Sequence, residues 1–114
     1  MSSQVIRVDG LRTLAAGSIS ATYTAGAIGT AFTHPVRLLK IINNTNADVI
    51  FSFDGTNDND FIPAGGFSLY DGNTNKNLPD SRWVFQPNTT VYARSTGSPS
   101  TGAVYVVALF GQGE

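Results

Sequence analysis

Asp54-Gly55-Thr56-Asn57-Asp58-Asn59-Asp60 is the one cluster of carboxylates in the chain. Hard oxygen ligands at alternating positions are what Ca²⁺ takes. The helix–loop–helix calcium motif also requires Gly at its sixth position and Glu at its twelfth. Counted from Asp54, those positions hold Asn59 and Gly65, so the motif fails. The first reading of this stretch is therefore turn residues, with a weak cation site second.

His34 is the sole histidine, and it precedes Pro35, a context that favours extended backbone. With no cysteine in the chain and no recognisable acid partner, it reads as a turn or strand-start residue. A serine nucleophile needs a base and an oxyanion hole, and the serines here sit in no nucleophile-elbow pattern. Gly65-Gly66 is not followed by the Lys-Ser/Thr of a phosphate loop, nor by a predicted helix. It is expected to turn the chain ahead of Phe67–Tyr70. Trp83, Tyr70, Tyr92 and Tyr105 are candidates for stacking on a sugar ring. The competing reading puts them in the core, where the single Trp of a small sandwich usually packs. No residue is named as catalytic, cofactor-binding or metal-ligating, and no cofactor is expected.

The elements that must position these residues read as strands. Val36–Asn43 and Ala47–Phe53 are apolar runs joined by a polar loop through Asn44-Thr45-Asn46, the spelling of a central hairpin. Ala47, Val49, Phe51 and Phe53 share one face of the second run and are placed in the core. Further strands are expected over Gln4–Asp9, Ser18–Thr24, Phe67–Tyr70, Arg82–Phe85 and Thr89–Ser95. Gly102–Phe110, GAVYVVALF, is apolar on both faces, so it is central in a sheet or covered by a partner. Leu11–Ala16 is assigned one helical turn. Twelve Gly and five Pro leave no window for a long helix. Turn residues at Ile62-Pro63-Ala64-Gly65-Gly66 and Gln86-Pro87-Asn88 separate the runs. The expected fold is all-β: a single-domain antiparallel β-sandwich of about eight strands, jelly-roll-like. Residues 1–33, rich in Ala, Gly, Ser and Thr, are too poor in large apolar side chains to hold a core of their own. They are expected to add edge strands or to form an arm toward a neighbouring subunit.

Charged residues make up only 13% of the 114 residues, against about 25% in typical soluble domains. Ser, Thr, Asn and Gly stand in their place. Such a surface offers little repulsion between copies. The formal net charge is −1 and the basic residues are scattered, so neither nucleic acid nor an anionic membrane is an expected partner. No apolar run reaches the ~20 residues of a membrane helix. The N-terminus, Met-Ser-Ser-Gln-Val-Ile-Arg, has no apolar leader, so the expectation is a chain made in a cytoplasm. The N-glycosylation sequon at Asn88-Thr89-Thr90 then carries no meaning.

Three stretches, LLKIINNTNADVIFSFDGT, the following DFIPAGGFSLYD, and TTVYARSTGSPSTGAVYVVALFG, resemble small virion structural proteins of tailed bacteriophages. The resemblance spans residues 38–71 and 81–110 and is closest to the short β-sandwich proteins that decorate or cement capsids. It implies a non-enzymatic virion protein that binds the major capsid protein and other virion proteins, in a homo-oligomer. A head–tail connector or tail component is the first alternative. A carbohydrate-binding fibre or tip module is the second.

Overall fold

Alternation at period two, with one face of each strand apolar, builds two antiparallel sheets around one core. The computed structural model describes residues 6–71 and 85–111. Within them lie β1 (Ile6–Val8), β2 (Arg12–Ala15), β3 (Val36–Thr45), β4 (Val49–Ser52), β5 (Asp60–Ile62), β6 (Phe67–Asp71), β7 (Tyr92–Arg94) and β8 (Gly102–Gly111). The larger sheet runs β1-β8-β3-β6, with β2 also paired to β8. β3 takes one whole edge of β8, from Thr45 opposite Gly102 to Val36 opposite Phe110, with a bulge between Val36 and Leu38. β1 and β2 divide the other edge: Val8 lies opposite Leu109 and Leu14 opposite Val104. The smaller sheet is β5-β4-β7.

The core fills the space between the sheets. Leu39 and Ile41 of β3 and Val104, Val106 and Ala108 of β8 meet Val49 and Phe51 of β4, Ile62 of β5 and Ala93 of β7. Residues 16–35 contribute Ile19, Ile28 and Phe32 to the same cluster. Arg12 fastens that segment. Its guanidinium lies 4.7 Å from the Phe32 ring centroid, its Nε donates to the Thr30 carbonyl at 2.7 Å, and Asp9 accepts from it at 3.1 Å. The side chain is buried, but it is supplied with a counter-ion and carbonyls, which is the condition for burying a guanidinium.

An all-β sandwich-like fold of two antiparallel sheets is what the alternation predicts, and it is what forms. The division into five and three strands does not itself make a jelly roll. Several elements differ from expectation. β3 and β4 are not a hairpin, because they belong to different sheets and the chain crosses the core between them. Leu11–Ala16 is mostly strand β2, followed by a short 3₁₀ turn at Ala16–Ser18. Pairing with β8 overrides the weak helical propensity of so short a run. Ser18–Thr24 is not a strand. It bends over the core edge, burying Ile19 and Tyr23, and its backbone bonds sideways, as Ser95 N–H to the Ser20 carbonyl. β5 emerges where only loop and turn residues are expected. Of the Arg82–Phe85 strand, residues 82–84 lie outside the described residues; Phe85 bridges Val36. Residues 4 and 5 of the first expected strand also lie outside.

The crossing from β3 to β4 is built by Asn43, the one fully buried amide side chain among the described residues. Its Nδ2 donates to the carbonyls of Ala47 and of Ile62 in β5, each at 2.9 Å. Its Oδ1 accepts from the Thr45 N–H and lies 2.6 Å from the Thr45 hydroxyl. Its backbone N–H and C=O bond Gly66 and Gly65, extending the β3–β6 ladder into the turn. Every polar atom of this residue is thereby used, as burial demands.

Candidate interaction surface

The carboxylates of residues 54–60 are each committed to a different set of protein donors. Asp54 Oδ1 accepts from the N–H groups of Thr56 and Asn57 and from Ser52 Oγ, while Oδ2 accepts from Asn57 Nδ2 at 2.7 Å. The Asn57 N–H above all, then that of Thr56, holds the Asp54 carboxyl well below the usual carboxylate range. Gly55 continues this turn at φ +77°. Asp58 takes Arg94 in a fork, Nε to Oδ1 at 3.1 Å and Nη2 to Oδ2 at 2.7 Å. The Tyr23 hydroxyl adds a third bond at 2.7 Å. Arg94 first, then Tyr23, pulls the Asp58 carboxyl down to about 2. Burial and then Asp58 push the Tyr23 phenol up to about 12. Asp60 accepts from Tyr70 at 2.6 Å and from the Phe61 N–H. Burial and Asp60 together raise the Tyr70 phenol well above its ordinary range. Among the described residues, no group of three or more His, Cys, Asp or Glu is placed to hold a metal ion. The stretch works as loop architecture: Asp54 closes its own turn, and Asp58 ties it to residue 23 and to β7.

The other candidates are scattered. His34 lies flat on Phe110 of β8, ring centroids 4.0 Å apart and planes 6° from parallel. Gly65, at φ +80°, makes the tight turn ahead of β6. Asn88 occupies a left-handed turn position and donates its N–H to the Phe32 carbonyl. Tyr70 packs edge-on against Phe53 and Phe85 at one end of the core. Tyr92 meets Tyr23 edge-on on the smaller sheet. Tyr105 alternates with the buried residues of β8 and so faces the opposite way, out of the larger sheet. Trp83 lies outside the described residues. The three candidate tyrosines, Tyr70, Tyr92 and Tyr105, point to three regions and share no sugar-stacking platform.

Tyr105 leads to the most unusual surface. On the larger sheet, the side turned away from the core carries Leu38, Lys40 and Ile42 of β3 and Ala103, Tyr105, Val107 and Leu109 of β8. β6 adds Phe67, Leu69 and Asp71, and β1 adds Val8. Cross-strand register sets them in rows: Val8–Leu109–Leu38–Asp71, then Val107–Lys40–Leu69, then Tyr105–Ile42–Phe67. An antiparallel sheet with one face on the core ordinarily turns a polar face to solvent. Here Phe67 is 61% exposed, Leu69 54% and Val8 70%, with Leu11 beside them at 63%. The Lys40 ammonium lies over the Phe67 ring, 4.9 Å from its centroid.

No protein-family model matches this chain, and no characterised protein or solved structure matches it either.

The apolar character of both faces of β8 is visible in residues 102–110. What local reading misses is that β3 and β6 extend the same apolar face across the sheet. That juxtaposition depends on which strand pairs with which. The outward residues Leu38, Ile42, Phe67 and Leu69 are individually unremarkable exposed or half-exposed side chains; only their register makes them a patch.

Proposed function

We propose that this chain is a non-enzymatic structural protein of a tailed-phage particle. It decorates the capsid, binding the shell of major capsid protein in many copies and stabilising it. The observation that carries this reading is the apolar outer face of the larger sheet, a surface suited to close packing against a neighbour within an assembly. The resemblance of residues 38–71 and 81–110 to small virion proteins supports it. A low-charge exterior favours it too, since copies crowded on a lattice then repel one another little. Modest contacts per copy suffice when many copies act on one multivalent shell.

The test uses purified empty capsids of the phage that encodes the chain, mixed with the full-length protein. Binding at a fixed ratio to shell subunits, seen as repeating density by cryo-EM and as a raised temperature of shell disruption, is the expected result. Absence from the shell would overturn it. Density confined to the neck or tail would replace it with the connector reading.

A further inference from the structure

We infer that the outer face of the larger sheet is a self-association surface, covered by the same face of a second copy in an aligned, sheet-on-sheet dimer. This rests on the reading above that the chain acts by docking, and it names the partner of that one face. The smaller sheet and the loops are left to meet the shell.

Area, charge and shape point to a second copy as the occupant. Four strand positions at about 4.8 Å spacing, each contributing about seven residues at ~3.3 Å, give a patch of roughly 450 Å² in projection. Two such patches meeting bury about 900 Å² before side-chain relief is counted, below the ~1,200 Å² of stable interfaces and within the range of weak, transient ones. The expected product is therefore a weak, reversible dimer. Lys40 and Asp71 are the two charged side chains in the rows, one of each sign. A copy meets a copy with no net like charge, whereas a lipid surface or nucleic acid asks for a basic cluster that this face lacks. Tyr105 and Phe67 lie in one row with Ile42 between them, and aromatics are the residues enriched at interface cores. Twisted sheets pack face to face about 10 Å apart with strands near −30°. An open four-strand face, apolar but for Thr13, Lys40, Asn44 and Asp71, accepts that geometry.

Sedimentation of the full-length chain across the micromolar range tests this. The mass should rise with concentration from 12.1 kDa to twice that value. Leu69→Lys sits at a position already more than half exposed, so the fold has no reason to fail. It should weaken association at least ~100-fold by placing an unpaired charge in the interface. Val107→Glu, nearer the centre, should do the same. Phe61→Lys changes an equally exposed apolar residue on the smaller sheet and should leave the dimer intact. A wild-type chain that stays at 12.1 kDa throughout overturns the inference, as does a dimer lost with Phe61→Lys but kept with Leu69→Lys. A monomeric chain that still coats capsids overturns only the dimer. A dimer that never appears on particles overturns only the proposed function.

Discussion

Asp58 shows how one side chain can hold a loop without forming a binding site. Both its oxygens accept from the Arg94 fork and Oδ1 accepts from the Tyr23 hydroxyl as well, and the residues it joins are far apart in sequence. Because the native carboxyl titrates near 2, below the ~3.9 of an unfolded chain, the lock contributes fully above about pH 4. It is lost as pH falls toward 2. Tyr23 works in the opposite sense. Its phenol is raised to about 12, so its contribution is complete below the ordinary tyrosine value of ~10 and fades as pH climbs beyond it. Melting temperature followed against pH should show both limbs. Asp58→Asn should shrink the acid limb and lower the neutral-pH melting temperature by a few degrees at most, since the pair is solvent-screened. An acid limb unchanged in Asp58→Asn would place the titrating group elsewhere. At this scale the sequence was informative about the loop as a turn, through Asp54-Gly55. It was silent about Arg94 and Tyr23, whose pairing with Asp58 is a long-range event.

Between elements, the decisive residue is Asn43. Its amide links β3 to the start of β4 and to β5, so removing it takes a donor from the Ile62 carbonyl and an acceptor from the Thr45 N–H in the interior, and leaves the Ala47 carbonyl to the Thr45 hydroxyl alone. Asn43→Ala should cost about 3 kcal/mol, a sum of buried unsatisfied groups, measured as a shift in the denaturant midpoint at unchanged slope. An effect below 1 kcal/mol would mean that water replaces the amide at little cost. The same residue explains why a hairpin was the natural expectation. Two apolar runs joined by Asn-Thr-Asn spell a turn, but Asn44 and Thr45 stay in β3 and the chain bends only at Asn46-Ala47. Alternation reports which face of each run is buried, yet Leu39 and Ile41 on one strand and Val49 and Phe51 on the next look alike whether the strands lie side by side or face each other across a core. A polar residue on the buried face of β3, in phase with Leu39 and Ile41, was the one available signal. β6 and β7 were legible as short runs bounded by Gly and Pro turns, and β8 as a run apolar on both faces. The stretch 18–24 misled because its alternation is real, but its bonds run to loops instead of to a ladder.

At the scale of the whole molecule, the fold class followed from punctuation and period, whereas the apolar outer face required the strand order. If that face closes on a second copy, folding and association are linked, and the melting temperature should rise with protein concentration for the wild type while staying flat for Leu69→Lys. Differential scanning at two widely separated concentrations reads this directly; a flat wild-type curve would sever the link. The strand order also governs how the chain comes into being. β8 lies at the middle of the larger sheet, flanked on one side by β1 and β2 and on the other by β3. Ala15 lies opposite Ala103, and Ile6 opposite Gly111. A ribosome delivers β1, β2 and β3 first, and each must wait for a keystone synthesised long after it. Until then β1 and β2 have no ladder to join, and β3 shows an open edge beside apolar side chains. Non-local pairing of this kind slows folding and prolongs the exposure of sticky edges. For such a chain β8 is a checkpoint: a nascent product cut short before residue 102 lacks Val104, Val106 and Ala108 of the core and the one strand to which β1, β2 and β3 all pair.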